Sequence, residues 1–171
     1  MPLYPAYLAV LYDTRLSDDE FFTVGKALSI RLSLVLLGVL YVVFRLHFPP
    51  LVAVNLLLTV AFGYFVFKAG YVQAELLFYT FFLLTFVASC HAIEARSMGR
   101  ALALGAIAGA LAALAHLTKA AMLPFVIVLL IVMIGASAVT RWRIAASVAV
   151  MVSFLAVLSP YLLNSKRVYG R

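Results

Sequence analysis

Leu51-Val52-Ala53-Val54-Asn55-Leu56-Leu57-Leu58-Thr59-Val60-Ala61-Phe62-Gly63-Tyr64-Phe65-Val66-Phe67 runs without a single charged side chain. Met122–Val139 is a second such stretch. Apolar runs of about 18–20 residues match the ~30 Å hydrocarbon core of a bilayer. Lipid offers no hydrogen-bond partners to a backbone, so runs of this kind are read as helices. The whole chain follows the same pattern. Of its 171 residues, 67% are hydrophobic and only 11% charged, against about a quarter charged in an ordinary soluble domain. Its mean hydropathy is +1.15. The expected fold class is therefore all-α, a polytopic transmembrane helical bundle of about six spans plus a short N-terminal interfacial helix.

Working outward from Leu51, His47-Phe48-Pro49-Pro50 ends the preceding span, because the residue before a proline avoids the α region. That first span, about 19–46, opens on Ser17-Asp18-Asp19-Glu20, a capping-box pattern whose acids suit the positive end of the helix dipole. The others are expected at about 51–67, 73–92, 101–117, 122–139 and 144–163. Residues 1–14 read as an interfacial or juxtamembrane helix, residues 15–165 as the transmembrane module, and residues 166–171 as an outer polar tail. Pro124 falls in the first turn of its span, where proline is tolerated, and Pro160 is expected to kink the last. Gly105 and Gly109 make a small-xxx-small face that lets helices approach closely. The opening Met1-Pro2-Leu3-Tyr4-Pro5 lacks the basic region and small-residue site of a cleavable signal.

The net charge is +7, but the basic residues are scattered between apolar spans. That distribution argues against nucleic acid, which calls for a dense patch, and fits loop ends and anionic lipid. Arg45, Arg96, Arg100, Arg141 and Arg143 fall in one set of loops, which the Lys/Arg bias assigns to the cytoplasmic side. Lys68, Lys119 and the tail fall in the other. The single cysteine, Cys90, lies in an apolar run and has no internal disulfide partner.

Ionisable groups in or beside spans are the candidates for chemistry. Glu75 opens the third span; it is either a carboxylate at ease with the helix dipole or an acidic group of a cavity. Lys119, in His116-Leu117-Thr118-Lys119-Ala120-Ala121, either snorkels or holds a phosphate ahead of the next helix. His116 reads first as an interfacial histidine. Arg31 lies inside the first span among Ile30, Leu32 and Leu34, and calls for a carbonyl, a carboxylate or a lipid phosphate. Lys166 and Arg167 are a basic pair that suits either a tail or a phosphate. Asp13, Asp18, Asp19 and Glu20 read as a capped helix start before they read as a metal cluster. No phosphate-binding loop, dinucleotide fingerprint, zinc-spaced set or nucleophile elbow is present.

Four segments together resemble the GT-C membrane glycosyltransferases, the protein O-mannosyltransferase-like and aminoarabinose-transferase-like enzymes. Pro2-Leu3-Tyr4-Pro5 resembles their "PPLYP" turn. Ala69-Gly70-Tyr71-Val72-Gln73-Ala74-Glu75-Leu76 resembles the second outer loop, with its acidic residue before the next span. His116-Leu117-Thr118-Lys119-Ala120-Ala121 resembles the "LTKP" turn, Ala120 standing in place of proline. Ser159-Pro160-Tyr161-Leu162-Leu163-Asn164-Ser165-Lys166-Arg167-Val168-Tyr169-Gly170-Arg171 resembles the "PW..RNy..fG" segment that closes the helical module. Order and spacing agree over essentially the whole chain. Such enzymes carry an earlier span, and a loop with a catalytic aspartate, ahead of the region matched here; the chain is expected to be an interior, truncated stretch of the module.

The resemblance implies transfer of a sugar from a polyprenyl-phosphate donor to an acceptor at the outer face of a plasma or inner membrane. Glu75 would be the second acidic position. Lys119 would contact the lipid-linked phosphate, with Arg31, Lys166 and Arg167 as further candidates for the same anion. No cofactor is fixed by the residues; some relatives use a divalent metal ion, for which no ligand set stands out. Two other functions are compatible with the same sequence. One is a lipid or anion transporter module, for which no inverted repeat is seen. The other is a non-catalytic scaffold that joins a partner membrane chain through a small-residue face.

Overall fold

A computed structural model describes residues 2–10, 12, 15–68, 70–135 and 140–170. It is all-helical: among the described residues there are seven helices and no strand. They are α1 (Leu3–Ala9), α2 (Asp18–His47), α3 (Pro50–Lys68), α4 (Ala74–Ile93), α5 (Met98–Thr118), α6 (Met122–Gly135) and α7 (Arg141–Tyr169). Five of them, α2, α3, α4, α5 and α7, are long and apolar enough to cross a bilayer. The apolar helix α6 is described over 14 residues; positions 136–139, where its span was expected to end, lie outside the described residues, as do Asp13 and Arg171.

The helix boundaries follow from local chemistry. Ser17 caps α2 with a complete capping box: its Oγ accepts from the Glu20 N–H, and its own N–H donates to the Glu20 carboxylate at 2.8 Å. Replacing Ser17 with alanine is expected to cost about 1 kcal/mol. Hydrogen exchange should speed up in the first turn of α2 and stay unchanged at its far end. Pro50 takes the first position of α3, where its missing N–H leaves nothing unsatisfied. A single π-helical turn, Ala61–Phe65, interrupts α3.

Contacts divide the chain into two compact units, Pro5–Leu76 and Met1–Tyr4 with Leu77–Arg171. In the first, α2 packs on α3 and buries Gly25, Ser29, Ser33 and Leu36 on one face. The Ser29 and Ser33 hydroxyls donate to the carbonyls one turn earlier, at 3.0 and 2.9 Å, so neither is an unmet polar group in an apolar setting.

The second unit is centred on α5. It buries Ala101, Gly105, Ala108, Gly109, Ala112, Ala113 and Ala115. Its main partner is α7, which runs parallel to it: Gly105 faces the backbone of Ala146, and Gly109 that of Val150. The carbonyl oxygens of Ala146 and Val150 sit where a side chain would begin, a setting suited to Cα–H···O contacts. Across the same seam Ser153 Oγ donates to the Ala106 carbonyl at 2.8 Å. The small-residue face expected to serve helix contact is thus filled from within the chain.

The end of α7 departs from expectation. The helix does not stop near residue 163 with a polar tail from 166; it continues to Tyr169 and closes on Gly170 at φ 67. Pro160 removes the amide that would bond the Ala156 carbonyl. The Ser159 hydroxyl donates to that carbonyl at 2.9 Å, which satisfies it and lets the helix run on. Lys166 and Arg167 then occupy the last turn, where cations favour the helix dipole.

Candidate functional site

Within the second unit, one end gathers the lysine-bearing turn and the close of α7. Thr118 ends α5, its hydroxyl donating to the Leu114 carbonyl at 2.8 Å, and Lys119 is the C-cap, its N–H donating to the Ala115 carbonyl at 2.8 Å. The chain re-enters helix at Met122, so the Lys119 side chain stands exposed between a helix end and a helix start. The register of α5 against α7 puts Thr118 level with Ser159. From there α7 extends about 15 Å further, carrying the exposed Lys166 and Arg167 beyond the lysine turn. The fold thereby brings Lys119, Lys166 and Arg167 to one end of the unit.

The packing below that end ties together two of the segments that carried the resemblance and the part of α7 just before a third. Leu117 and Met122, on either side of Lys119, belong to one buried cluster with Phe154 and Leu158 of α7, and Leu3 packs against it. His116 lies in the same region, its ring edge-on to Phe154 at 5.9 Å, with Nδ1 buried and without a hydrogen-bond partner among the described residues. A buried unpaired nitrogen costs rather than stabilises. His116→Leu is expected to leave stability unchanged or raise it by up to about 1 kcal/mol, read as the thermal midpoint of the detergent-solubilised protein; a drop would reveal a partner for Nδ1.

Glu75 and Arg31 belong to the first unit. Glu75 is half-buried in the opening turn of α4. Arg31 is exposed along α2, on the side opposite the buried Ser29 and Ser33. Arg31 and Arg45 stand about 21 Å apart along the helix axis, with no charged residue between them. Two arginines reaching toward opposite headgroups extend that separation to the ~30 Å of a hydrocarbon core. Snorkelling gives Arg31 the lipid phosphate among the partners the sequence called for, with no carboxylate needed.

Among the described residues, no three His, Cys, Asp or Glu side chains come together as metal ligands. The described residues offer a divalent ion no such set.

The opposite end of the second unit does not stand out as a site in the sequence. There Glu94, Arg96, Ser97 and Arg100 line an open recess of about 610 Å³. Arg143 Nε donates to the Ile93 carbonyl at 3.4 Å, and the Arg141 guanidinium lies 4.2 Å over the Trp142 ring. The signal in the sequence is the Arg96/Arg100 pair itself, which reads there only as a mark of membrane orientation.

By fold and by the placing of its cations, the chain is an integral membrane protein of several α-helical spans, with its second unit bearing positive charge at both ends. Comparison with protein-family models, with curated proteins and with solved structures found no match.

Proposed function

We propose that the chain is a GT-C-type glycosyltransferase module that holds a polyprenyl-phosphate sugar donor at the outer membrane face. The observation that carries the reading is the convergence at one end of the second unit: Leu3, the Leu117-to-Met122 turn and the α7 segment through Leu158 share one buried cluster. Two segments far apart in sequence, each resembling the same family, pack as neighbours against the stretch of α7 that leads into a third. Above them Lys119, Lys166 and Arg167 supply cations at an end where a membrane-embedded tail and an anionic head would have to separate.

In this reading Lys119 holds the phosphate of the donor and steadies the negative charge that grows on it as the sugar departs. Lys166 and Arg167 lie farther from the membrane and add to the field that draws the anion in. The acidic role of Glu75 rests on the resemblance alone, since Glu75 belongs to the first unit.

The test is binding by the full chain in nanodiscs. A polyprenyl-phosphate sugar should bind and compete with its fluorescent analogue, whereas the same polyprenol without phosphate should not. Equal binding of both lipids would show a greasy groove without phosphate recognition and end the proposal. Flux of the lipid across liposomes without donor binding at Lys119 would favour the transporter reading.

A further inference from the structure

We infer that the recess lined by Glu94, Arg96, Ser97 and Arg100 is a binding site for the phosphodiester headgroup of an anionic phospholipid, at the leaflet opposite the Lys119 end. The site is independent of the proposed donor site.

Three observations place the recess at headgroup level. Trp142, half-buried against the cluster of Ala92, Ala95 and Ala101, stands at this end of the unit, and tryptophan favours the membrane–water interface. Arg143 is fixed to the end of α4 through the Ile93 carbonyl, which brings the start of α7 beside the recess. Directly along the helices, Met98 and Leu102 of α5 and Ile144 and Val148 of α7 are exposed apolar side chains. Exposed apolar side chains thus begin on both helices within about a turn or two of the charged recess. A ligand at home on both is an amphiphile with an anionic head.

The charges then select the kind of anion. Arg141 is engaged with Trp142 and Arg143 with Ile93. The Arg96 and Arg100 guanidinium groups have no hydrogen-bond or ion-pair partner among the described residues. Two free guanidiniums suit phosphate oxygens. The Glu94 carboxylate in the same recess reduces the formal charge of its lining to +1. That balance matches a phosphodiester, which carries one negative charge, and disfavours a phosphate monoester or free phosphate, which carry nearly two at neutral pH. Phosphatidylglycerol is the simplest lipid of this class, and its glycerol hydroxyls can donate to Glu94.

The experiment is native mass spectrometry of the full chain in mild detergent, with phosphatidylglycerol, phosphatidylcholine, phosphatidic acid and inorganic phosphate as probes. The unaltered chain should prefer phosphatidylglycerol to phosphatidylcholine. The R96Q/R100Q pair should weaken that preference by about 10- to 30-fold, whereas Lys26→Gln, an equal loss of charge per residue elsewhere, should leave it in place. Glu94→Gln should strengthen phosphatidic acid binding several-fold, and keeps the assignment testable if the double variant does not fold. Equal losses for Lys26→Gln and the arginine pair would reduce the effect to net charge and overturn the site. Competition by millimolar inorganic phosphate would make it a free-anion site, which also overturns the lipid assignment.

Discussion

Replacing Gly109 with leucine is expected to abolish the folded second unit, so that the detergent-purified chain loses its monodisperse peak. A Cβ at this position meets the Val150 carbonyl oxygen and Cα, and a Cβ at Gly105 comes within 2.5 Å of the Ala146 carbonyl. The obstacles are backbone atoms, which cannot rotate aside as a flexible side chain would. Accommodating a leucine means prying α5 from α7, its main partner. The smaller change Gly109→Ala should cost about 1–3 kcal/mol through overpacking. Gly38 of α2, where a Cβ would find nothing within 4 Å, is the contrast. Gly38→Ala should stabilise its helix by up to about 1 kcal/mol. Thermal unfolding of all three variants in one detergent separates the effects; a folded Gly109→Leu protein would mean that the α5–α7 seam does not hold the unit together.

Replacing Lys119 with alanine is expected to weaken binding of a polyprenyl-phosphate sugar by about tenfold to a hundredfold, the range for losing a charged hydrogen-bonding partner. The substitution leaves the helix end intact, because the cap is made by the Lys119 N–H and the Ala115 carbonyl. Lys119→Arg keeps the charge and should retain most of the affinity. Binding of the phosphate-free polyprenol should be the same in all three proteins. Titration in nanodiscs measures each affinity; if alanine binds the phosphorylated lipid as well as lysine does, Lys119 has no part in holding the donor.

Helix identity is legible from composition and punctuation. The Ser17-to-Glu20 capping box, the break at Pro49-Pro50 and the small face of Gly105 and Gly109 all depend on residues within a turn or two of each other. Such local chemistry fixes where a helix starts, ends and can be approached. The end of α7 is not legible in the same way. Pro160 signals a kink when read alone, and the carbonyl it leaves unpaired is met by one hydroxyl, that of Ser159, whose rotamer no spacing rule reports. Arg31, read as a single intramembrane charge, calls for a partner. Its distance from Arg45 along a continuous 30-residue helix, set against membrane thickness, lets the headgroups supply that partner.

Sequence alone determined that lipid is the solvent of this chain, that its spans are helices, and which residues are charged at their ends. These follow from transfer free energies and backbone hydrogen bonding, which act residue by residue. Tertiary structure decided which helices are neighbours, and therefore which distant charges share an end: Lys119 with Lys166 and Arg167. Neighbourhood depends on how closely two backbones can approach, as α5 and α7 do at Gly105 and Gly109. That is a property of pairs of surfaces, and no single stretch of sequence carries it.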